Sequence, residues 1–369
     1  MRLISARWVI PITGPPITEG AVIIDEQGGT IVALGTRADM RRAYTSLTET
    51  RAEGALCPAL VNAHAHLELS AVPAPIAGGD GVVNWTRRLI SSLAAQQDAA
   101  GLSASAESAE SASAAYAASA VAAVESARSF GTVAIADVGN GTTGWVALGR
   151  ANMEGVFFHE LVGSREARTG DALLDAAQER ASVPMRDQPR GVVAVPAPHA
   201  PYSVGPDLMK RIFEAAARAG HPTTIHLAED NDEILLLRDG LGAWPAVLRA
   251  LGVDPADRTP RLSPTAYLER LGAFAGGPPP LLVHMVHTDA DDRRRVRTAG
   301  STVVLCARSN VHIGGRLPDV PAFIADGIRL AVGTDSLASV PNLSLWQELS
   351  TLASHFPDVS PRTWLHAAT

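Results

Sequence analysis

Short apolar runs recur along the chain, and each is followed by a polar residue and then by a stretch with helical spacing. Because these runs do not alternate apolar and polar positions, they are typical of strands buried on both faces, as in a parallel sheet. The runs are Ala59–Asn62, Thr132–Asp137, Val156–Glu160, Val192–Pro196, Thr223–His226, Leu281–His284, Thr302–Leu305 and Leu330–Gly333. Strands and helices that alternate in this way predict an α/β fold, a (β/α)₈ barrel.

The N-terminal part of the chain follows a different pattern, in which β-branched runs alternate with turn residues. Its predicted strands are Ala6–Ile12, Gly20–Asp25 and Ile31–Leu34. We therefore expect a small β domain over residues 1–55 and the barrel over residues 56–369. Within the barrel, the Ala- and Ser-rich segment Ala94–Arg128 predicts a helix after a loose start near Gln96–Ser103.

A barrel of this kind carries its chemistry at the carboxyl ends of the strands, and polar residues cluster there in this chain. They are His64, His66, Asp137, Glu160, His199, His226, His284, Asn310 and Asp335. His64 and His66 are separated by one residue, so both imidazoles point to the same side of a strand and reach one metal ion. Together with His226 and Asp335 they supply three imidazoles and one carboxylate. That set suits zinc or ferrous iron and leaves one position for water.

Two further side chains have the chemistry needed for proton transfer. Glu229 follows His226 by three residues, which places a carboxylate where a metal hydrolase needs a proton shuttle. His284 and His287 close the sixth apolar run. If the strand stops at His284, that residue faces the metal and His287 lies in the loop behind it. We expect His284 to hydrogen-bond the metal-bound water.

Composition and charge narrow the classes of function. The 369 residues are 46% hydrophobic with a formal net charge of −7, which argues against a nucleic-acid or anionic-membrane partner. Lys210 is the only lysine, which disfavours Schiff-base chemistry, a P-loop and a carbamylated-lysine two-metal site. Two cysteines and the lack of a long apolar segment predict a cytoplasmic protein without a membrane span. We expect a small-molecule substrate, and a homo-oligomer is compatible with these properties.

The motifs, in the order in which they occur, resemble the amidohydrolase superfamily. The resemblance rests on Asn62–His66, Pro198–Tyr202, His226–Glu229, His284, Ser309–Asn310 and Gly333–Ser336. More narrowly, the motifs resemble one branch of this superfamily. That branch holds triazine hydrolases, guanine deaminase, methylthioadenosine/S-adenosylhomocysteine deaminase and aminodeoxyfutalosine deaminase. The resemblance implies a distorted (β/α)₈ TIM barrel with a small β-sandwich built from both chain ends. The family continues beyond the position of Thr369 into further sandwich strands, so we expect either that the sequence is a fragment or that the sandwich is reduced.

The resemblance also implies the roles of individual residues. The metal ligands would be His64, His66, His226 and Asp335, around one divalent metal, Zn²⁺ or Fe²⁺. The catalytic residues would be Glu229, His284 and Asp335. The implied reaction is the hydrolytic deamination of a 6-aminopurine nucleoside by metal-bound hydroxide, with release of ammonia. Asp335 would accept the proton of the hydroxide, and Glu229 would protonate the ring nitrogen beside the attacked carbon.

Within the branch, the segments around Trp85 and Arg308 are most similar to aminodeoxyfutalosine deaminase, which implies a role in menaquinone biosynthesis. The substrate contacts that we expect are Trp85, Arg87, Arg88, His199, Tyr202, Arg308 and Asn310. The three arginines are candidates for an acidic tail of the substrate, because arginine binds a carboxylate with two parallel hydrogen bonds. The aromatic side chains would pack on a ring of the substrate.

Other functions remain open from the sequence. The same site suits the deamination of methylthioadenosine, S-adenosylhomocysteine or guanine, and also the release of chloride from a triazine ring. Glu229 favours deamination, because a ring nitrogen must then be protonated, whereas chloride leaves with less help. A further alternative is a metal-binding barrel without catalysis. Against it, every matched catalytic position holds a chemically competent residue.

Overall fold

The structure is a computed structural model that describes residues 1–99, 106–163 and 192–369. Its strands in these ranges are β1 (Arg2–Val9), β2 (Ile17–Asp25), β3 (Thr30–Thr36), β4 (Glu49–Arg51), β5 (Ala55–Leu56), β6 (Leu60–Ala65), β7 (Thr132–Gly139), β8 (Glu154–Leu161), β9 (Val193–Pro198), β10 (Thr224–Leu227), β11 (Leu281–His284), β12 (Thr302–Leu305) and β13 (Arg329–Val332). Its helices are α1 (Arg37–Ala43), α2 (Val82–Ala99), α3 (Ala106–Ser129), α4 (Thr143–Arg150), α5 (Pro206–Ala219), α6 (Asn231–Asp239), α7 (Trp244–Ala250), α8 (Pro264–Arg270), α9 (Ala290–Ala299), α10 (Ala307–Gly314), α11 (Val320–Ala325), α12 (Leu345–His355) and α13 (Pro361–Ala367). Short 3₁₀ helices lie at Leu67–Ala71 and Pro255–Arg258.

The chain divides into two compact units. One contains Met1–Leu60 with Ser360–Ala367 and Thr369, and the other contains Val61–Val359 with Ala368. In the first unit, β1 pairs antiparallel with β2 and parallel with β4 and β5, and β2 pairs antiparallel with β3. These strands form a single sheet. The predicted β-sandwich is therefore not confirmed in the described residues.

Every one of the predicted apolar runs overlaps a strand of the structure. Strands β6 to β9 form one four-stranded sheet and strands β10 to β13 form another. The pairs β7–β8, β8–β9, β10–β11, β11–β12 and β12–β13 are parallel. Ala65 and Asp335 form a parallel bridge between the sheets, and the His226 N–H donates to the carbonyl of His199 at 2.9 Å. In the described residues of the second unit, the strands form two sheets and not one continuous sheet. The fold is therefore α/β with parallel sheets, and the closed barrel stays a prediction.

The apolar runs form strands because both of their faces are covered. All four residues of β10 are buried, and so are the last three residues of β11 and of β12. A close approach joins the end of β13 to β6: a Cβ atom at Gly333 would lie only 2.6 Å from the Cβ of His64. Glycine at this position therefore lets His64 and Asp335 reach the same edge of the sheets.

Helix α2 forms an apolar wall beside that edge. Trp85 and Leu89 are buried in a cluster that also contains Tyr202 and Trp244. The predicted loose start of the next helix, near Gln96–Ser103, lies partly outside the described residues. No helix in the described part of the chain is both long enough and apolar enough to cross a membrane.

Candidate metal centre and active site

Four side chains of metal-binding type converge where strands of the second unit end. His64 lies in β6, His66 follows that strand, His226 lies in β10 and Asp335 follows β13. The Nε2 atoms of His66 and His226 are 3.1 Å apart. Oδ1 of Asp335 is 3.7 Å from Nε2 of His66 and 3.9 Å from Nε2 of His64. Because bonds of about 2.1 Å in tetrahedral geometry separate ligand atoms by about 3.4 Å, this spacing fits the ligands of one metal ion.

Backbone carbonyl groups orient two of the imidazoles. Nδ1 of His66 donates to the carbonyl of Val138 at 3.0 Å, and Nδ1 of His226 donates to the carbonyl of His199 at 3.0 Å, so each ring turns its Nε2 towards the cluster. Neither ring nitrogen of the fully buried His64 has a hydrogen-bond partner among the described residues. Burial keeps the pKa values of His64 and His226 well below their ordinary value. These neutral, partly orphaned donors fit a divalent cation.

Two hydroxyl groups hold the carboxylate of Asp335. Its Oδ2 accepts hydrogen bonds from Oγ of Ser309 and, at 3.4 Å, from Oγ of Ser339. Oδ1 is therefore left to face the histidines. The backbone of Asp335 has φ +60°, which is unfavourable for a residue with a Cβ atom. The hydrogen bonds and the bridge to Ala65 keep the residue in this conformation.

A second group of metal-binding side chains shares His226 with the first. Ligand atoms of Glu160, His199 and His226 lie within 4.8 Å of one another. Oε1 of Glu160 is 3.5 Å from Nδ1 of His226. That nitrogen already donates to the carbonyl of His199, so His226 offers its free Nε2 to the first group alone. The candidate metal centre is therefore the first group, and Glu160 lies behind one of its ligands.

Glu229 and His284 face each other beside the metal-binding cluster. Oε1 of Glu229 is 3.5 Å from Nε2 of His284, and the two side chains are only 10% and 1% exposed. Burial and, after it, the nearby carboxylate of Asp335 raise the pKa of Glu229 well above its ordinary value. Burial lowers the pKa of His284 to about 4. Burial therefore favours the protonated form of Glu229, and the imidazole of His284 is neutral near neutral pH. His287 lines a neighbouring cavity.

A cavity of about 300 Å³ opens onto the cluster. Its apolar lining comes largely from α2 and includes Val82, Trp85, Leu89, Ile90 and Leu93. Its polar lining includes Glu68, Asn140, Glu160, His199 and Tyr202. The Tyr202 ring stacks on Trp244 with 3.9 Å between ring centroids. A cavity with both kinds of lining suits a ligand that combines a flat apolar part with hydrogen-bonding groups.

The structure brings only some of the predicted substrate contacts into this cavity, namely Trp85, His199 and Tyr202. The three arginines do not line it. Arg88 forms an ion pair with Asp80, and Nε of Arg308 lies 2.6 Å from Oε1 of Glu348. Arg87 is exposed on α2. A guanidinium that is already paired with a carboxylate has fewer donors left for the acidic group of a substrate.

Asn310 lies in helix α10 rather than directly at a strand end, and it does not line the larger cavity. Its Nδ2 atom is 3.0 Å from Nδ1 of His284. Ser309, the preceding residue of the helix, contacts Asp335. Ser309 and Asn310 therefore hydrogen-bond two of the predicted catalytic residues, Asp335 and His284.

Glu233 is a residue of the site that sequence reasoning missed. Its two carboxylate oxygens accept from the backbone N–H groups of Ala228, at 2.9 Å, and Glu229, at 3.1 Å. It thereby holds the turn that presents the Glu229 side chain. The signal was present in the sequence, because Glu233 follows the helix-capping Asp230 by three residues, which is the spacing of a capping pair.

Comparisons with known proteins show what the whole chain is similar to. Residues 55–369 match the profile of the amidohydrolase family. Over 378 aligned residues, the chain is 30% identical to an aminodeoxyfutalosine deaminase of Deinococcus radiodurans, covering 100% of this chain and 84% of the relative. It is 25% identical over 350 residues to an aminodeoxyfutalosine deaminase of Nitratiruptor sp., covering 94% and 79%. The structure resembles Helicobacter pylori aminofutalosine deaminase in complex with methylthio-coformycin, with TM-score 0.79, 21% identity and coverage of 95% and 81%.

Proposed function

The chain belongs to the amidohydrolase family, and on that premise we propose that it is a metal-dependent hydrolytic deaminase of a 6-aminopurine nucleoside similar to aminodeoxyfutalosine. One observation carries the proposal. The carboxyl group of Glu229, whose pKa is raised by burial, and the neutral ring of His284 face each other at 3.5 Å beside four potential metal ligands. This arrangement supplies a proton donor at the point where an amino group must be made to leave.

The residues of the site divide the chemistry among them. A divalent cation, zinc or ferrous iron, would be held by His64, His66, His226 and Asp335 and would supply a water of lowered pKa, a nucleophile at neutral pH. The carboxylate of Asp335 would take a proton from the attacking water.

Glu229 and His284 then act on the substrate. Glu229 gives its proton to the ring nitrogen beside the attacked carbon, which neutralises the charge that develops on the ring. His284 hydrogen-bonds the oxygen that is added to this carbon. When the carbon–nitrogen bond breaks, Asp335 returns the proton from water to the departing amine, and ammonia leaves. The proton of the added hydroxyl group passes to the carboxylate of Glu229, which restores the acid.

The cavity supports a nucleoside as the substrate. Trp85 and Tyr202 offer aromatic surface to a purine ring or to an apolar tail. His199, Asn140 and Glu160 offer polar groups to sugar hydroxyls. The relatives named as aminodeoxyfutalosine deaminases favour a tailed nucleoside over a free base such as guanine.

The test is ammonia release by purified protein loaded with Zn²⁺. The substrate panel contains aminodeoxyfutalosine, methylthioadenosine, S-adenosylhomocysteine, adenosine and guanine, and the Glu229→Gln variant is the control. Release from aminodeoxyfutalosine that is lost in the variant supports the proposal. Release from another member only would change the substrate. If no member of the panel releases ammonia although one metal is bound per chain, aminopurine deamination is ruled out.

A further inference from the structure

The imidazole of His284 has a defined partner on each nitrogen. Its side chain is 1% exposed, with Nδ1 3.0 Å from Nδ2 of Asn310 and Nε2 3.5 Å from Oε1 of Glu229. A neutral imidazole carries one proton, so one ring nitrogen donates a hydrogen bond and the other accepts. Which nitrogen carries the proton decides whether His284 donates to the reacting groups or accepts from them.

The contact with Asn310 selects one of these two forms. Nδ2 of an amide can only donate, so Nδ1 of His284 accepts and Nε2 carries the proton. The reversed amide would leave both of its N–H groups without an acceptor among the described residues. The orientation in the structure leaves Oδ1 of Asn310 as the one amide atom without a partner. An amide oxygen without a partner costs less free energy than an amide NH₂ group that has lost both of its hydrogen bonds.

Helix α10 holds Asn310 firmly enough to make this selection. The Asn310 N–H donates to the carbonyl of Cys306 at 2.9 Å. The neighbouring Arg308 is joined to Glu348 of α12 through both its backbone N–H, at 3.0 Å, and its guanidinium group, at 2.6 Å. The amide of Asn310 therefore approaches the ring from a helix that is fixed at its first turn.

We propose that Asn310 is a positioning residue that fixes the tautomer of His284, so that His284 acts as a hydrogen-bond donor through Nε2. His284 then stabilises negative charge on the oxygen added to the substrate and does not act as a base. Asn310 was expected to contact the substrate, and this proposal gives it a different role. It rests on the proposed function, because only the hydrolytic reaction develops such an oxygen.

The direct test is spectroscopic and does not depend on turnover. In protein labelled with ¹⁵N-histidine and loaded with Zn²⁺, the signals of His284 are those that vanish in His284→Asn. We expect Nε2 to give the shift of a protonated ring nitrogen and Nδ1 that of an unprotonated one. In Asn310→Asp the carboxylate accepts from Nδ1–H, so the two shifts should exchange. Protonation of Nδ1 in the unmodified protein would overturn the proposal.

Steady-state kinetics provide a second test of the role of Asn310. Asn310→Asp should lower kcat by about 10²- to 10³-fold, the usual effect of losing one donor to a developing oxyanion, with little change in KM. Asn310→Ala, which supplies neither donor nor acceptor, should give mixed tautomers and an intermediate kcat. Asn84→Asp makes the same chemical change on the exposed face of α2 and should leave kcat unchanged.

The outcomes separate this proposal from the proposed function. Exchanged shifts together with an unchanged kcat would overturn the role in catalysis. If the unmodified protein shows a protonated Nε2 but releases no ammonia from any aminopurine, the tautomer assignment stands and the deaminase function fails.

Discussion

Glu229 shows how the surroundings of one carboxyl group determine its chemistry. Its side chain is removed from water, and Asp335 and Asp230 add negative potential, so ionisation is disfavoured and the pKa rises. The raised pKa favours the protonated carboxyl group, which a donor to a ring nitrogen requires. Glu233 holds the turn before the next helix through two backbone N–H groups, so the acid is also fixed in position.

Glu229→Gln should separate catalysis from metal binding. The amide has nearly the same shape as the acid but cannot give up a proton to the ring, so we expect ammonia release to fall by about 10²- to 10⁴-fold. The variant should keep its metal, because Glu229 is not among the four side chains that converge on one point. Elemental analysis of the metal content per chain tests whether the metal is retained, and an assay of ammonia release tests whether activity is lost. Loss of metal in the variant would contradict this separation of roles.

Asp137 should make the stability of the protein depend on pH. Its side chain is fully buried, Oδ1 accepts from the N–H of Leu67 at 2.8 Å, and Oδ2 has no partner among the described residues. Burial raises its pKa from the ordinary 3.8 to about 8. Between these pH values the folded protein holds a proton that the unfolded chain releases, so stability falls as the pH rises through this interval.

The measurement is urea unfolding of the unmodified protein and of Asp137→Asn at a series of pH values from 4 to 8. The amide keeps the acceptor for Leu67 but does not titrate. The free energy of unfolding of the unmodified protein should therefore decrease relative to that of the variant as the pH rises. A constant difference between the two proteins over this range would show that Asp137 does not hold the extra proton.

The convergence of the candidate metal ligands, with Glu229 beside them, could be predicted from the sequence because their residue types and spacing are distinctive. The pair His64 and His66 has several possible roles by itself, and so has Glu229. When they are considered together with His226, few roles remain other than metal binding and proton transfer. The partners of Arg308 could not be predicted in this way. Its carboxylate partner is Glu348, 40 residues away in sequence, and no local pattern links the two.

Helix α10 connects distant parts of the site through three consecutive residues. Arg308 pairs with Glu348 of α12, Ser309 contacts Asp335, and Asn310 contacts His284. The Arg308 side chain is 12% exposed and that of Glu348 is fully buried, so the ion pair is largely removed from solvent. Breaking one side of such a pair leaves a buried charge without compensation.

Arg308→Leu should therefore destabilise the fold by about 3 kcal/mol, because the carboxyl group of Glu348 loses its partner in the interior. The double variant Arg308→Leu/Glu348→Leu removes both charges and should recover most of the loss. Urea unfolding of the two variants and the unmodified protein measures the difference. If the double variant is as unstable as the single one, packing rather than the ion pair holds α10 and α12 together.

Secondary structure was predictable where the chain repeats one arrangement, and less so elsewhere. The strands β10, β11 and β12 are uninterrupted apolar runs, and the structure has strands there because both faces are covered. The position of Asn310 was harder to predict, because the strand before it ends at Leu305 and a helix begins within two residues. The first predicted strand, Ala6–Ile12, lies at Arg2–Val9, because β-branched runs do not mark their own ends.

The two parallel sheets of the second unit contribute jointly to the metal centre. His64 belongs to the sheet of β6, whereas His226 and Asp335 belong to the sheet that begins with β10. A cation held by all of them would stabilise the folded state over the unfolded chain, by about 2.7 kcal/mol at a free concentration 100 times its Kd.

Removal of the metal should therefore lower the thermal stability. We expect a chelator to reduce the Tm and added Zn²⁺ to restore it. The variant His64→Asn/His66→Asn should unfold at the same temperature with and without chelator, which controls for other effects of the reagent. Identical unfolding curves of the unmodified protein in chelator and in Zn²⁺ would contradict a cation that joins the two sheets.

The junction between β6 and β13 has a consequence for the synthesis of the protein. Asn62 donates to Thr334 across this junction at 2.8 Å, although 272 residues separate the two in sequence. His64 leaves the ribosome long before its carboxylate partner Asp335 has been made. A nascent chain therefore exposes these histidines while the fourth candidate ligand is still missing. A cation that needs all four ligands would then bind only after Asp335 has been added.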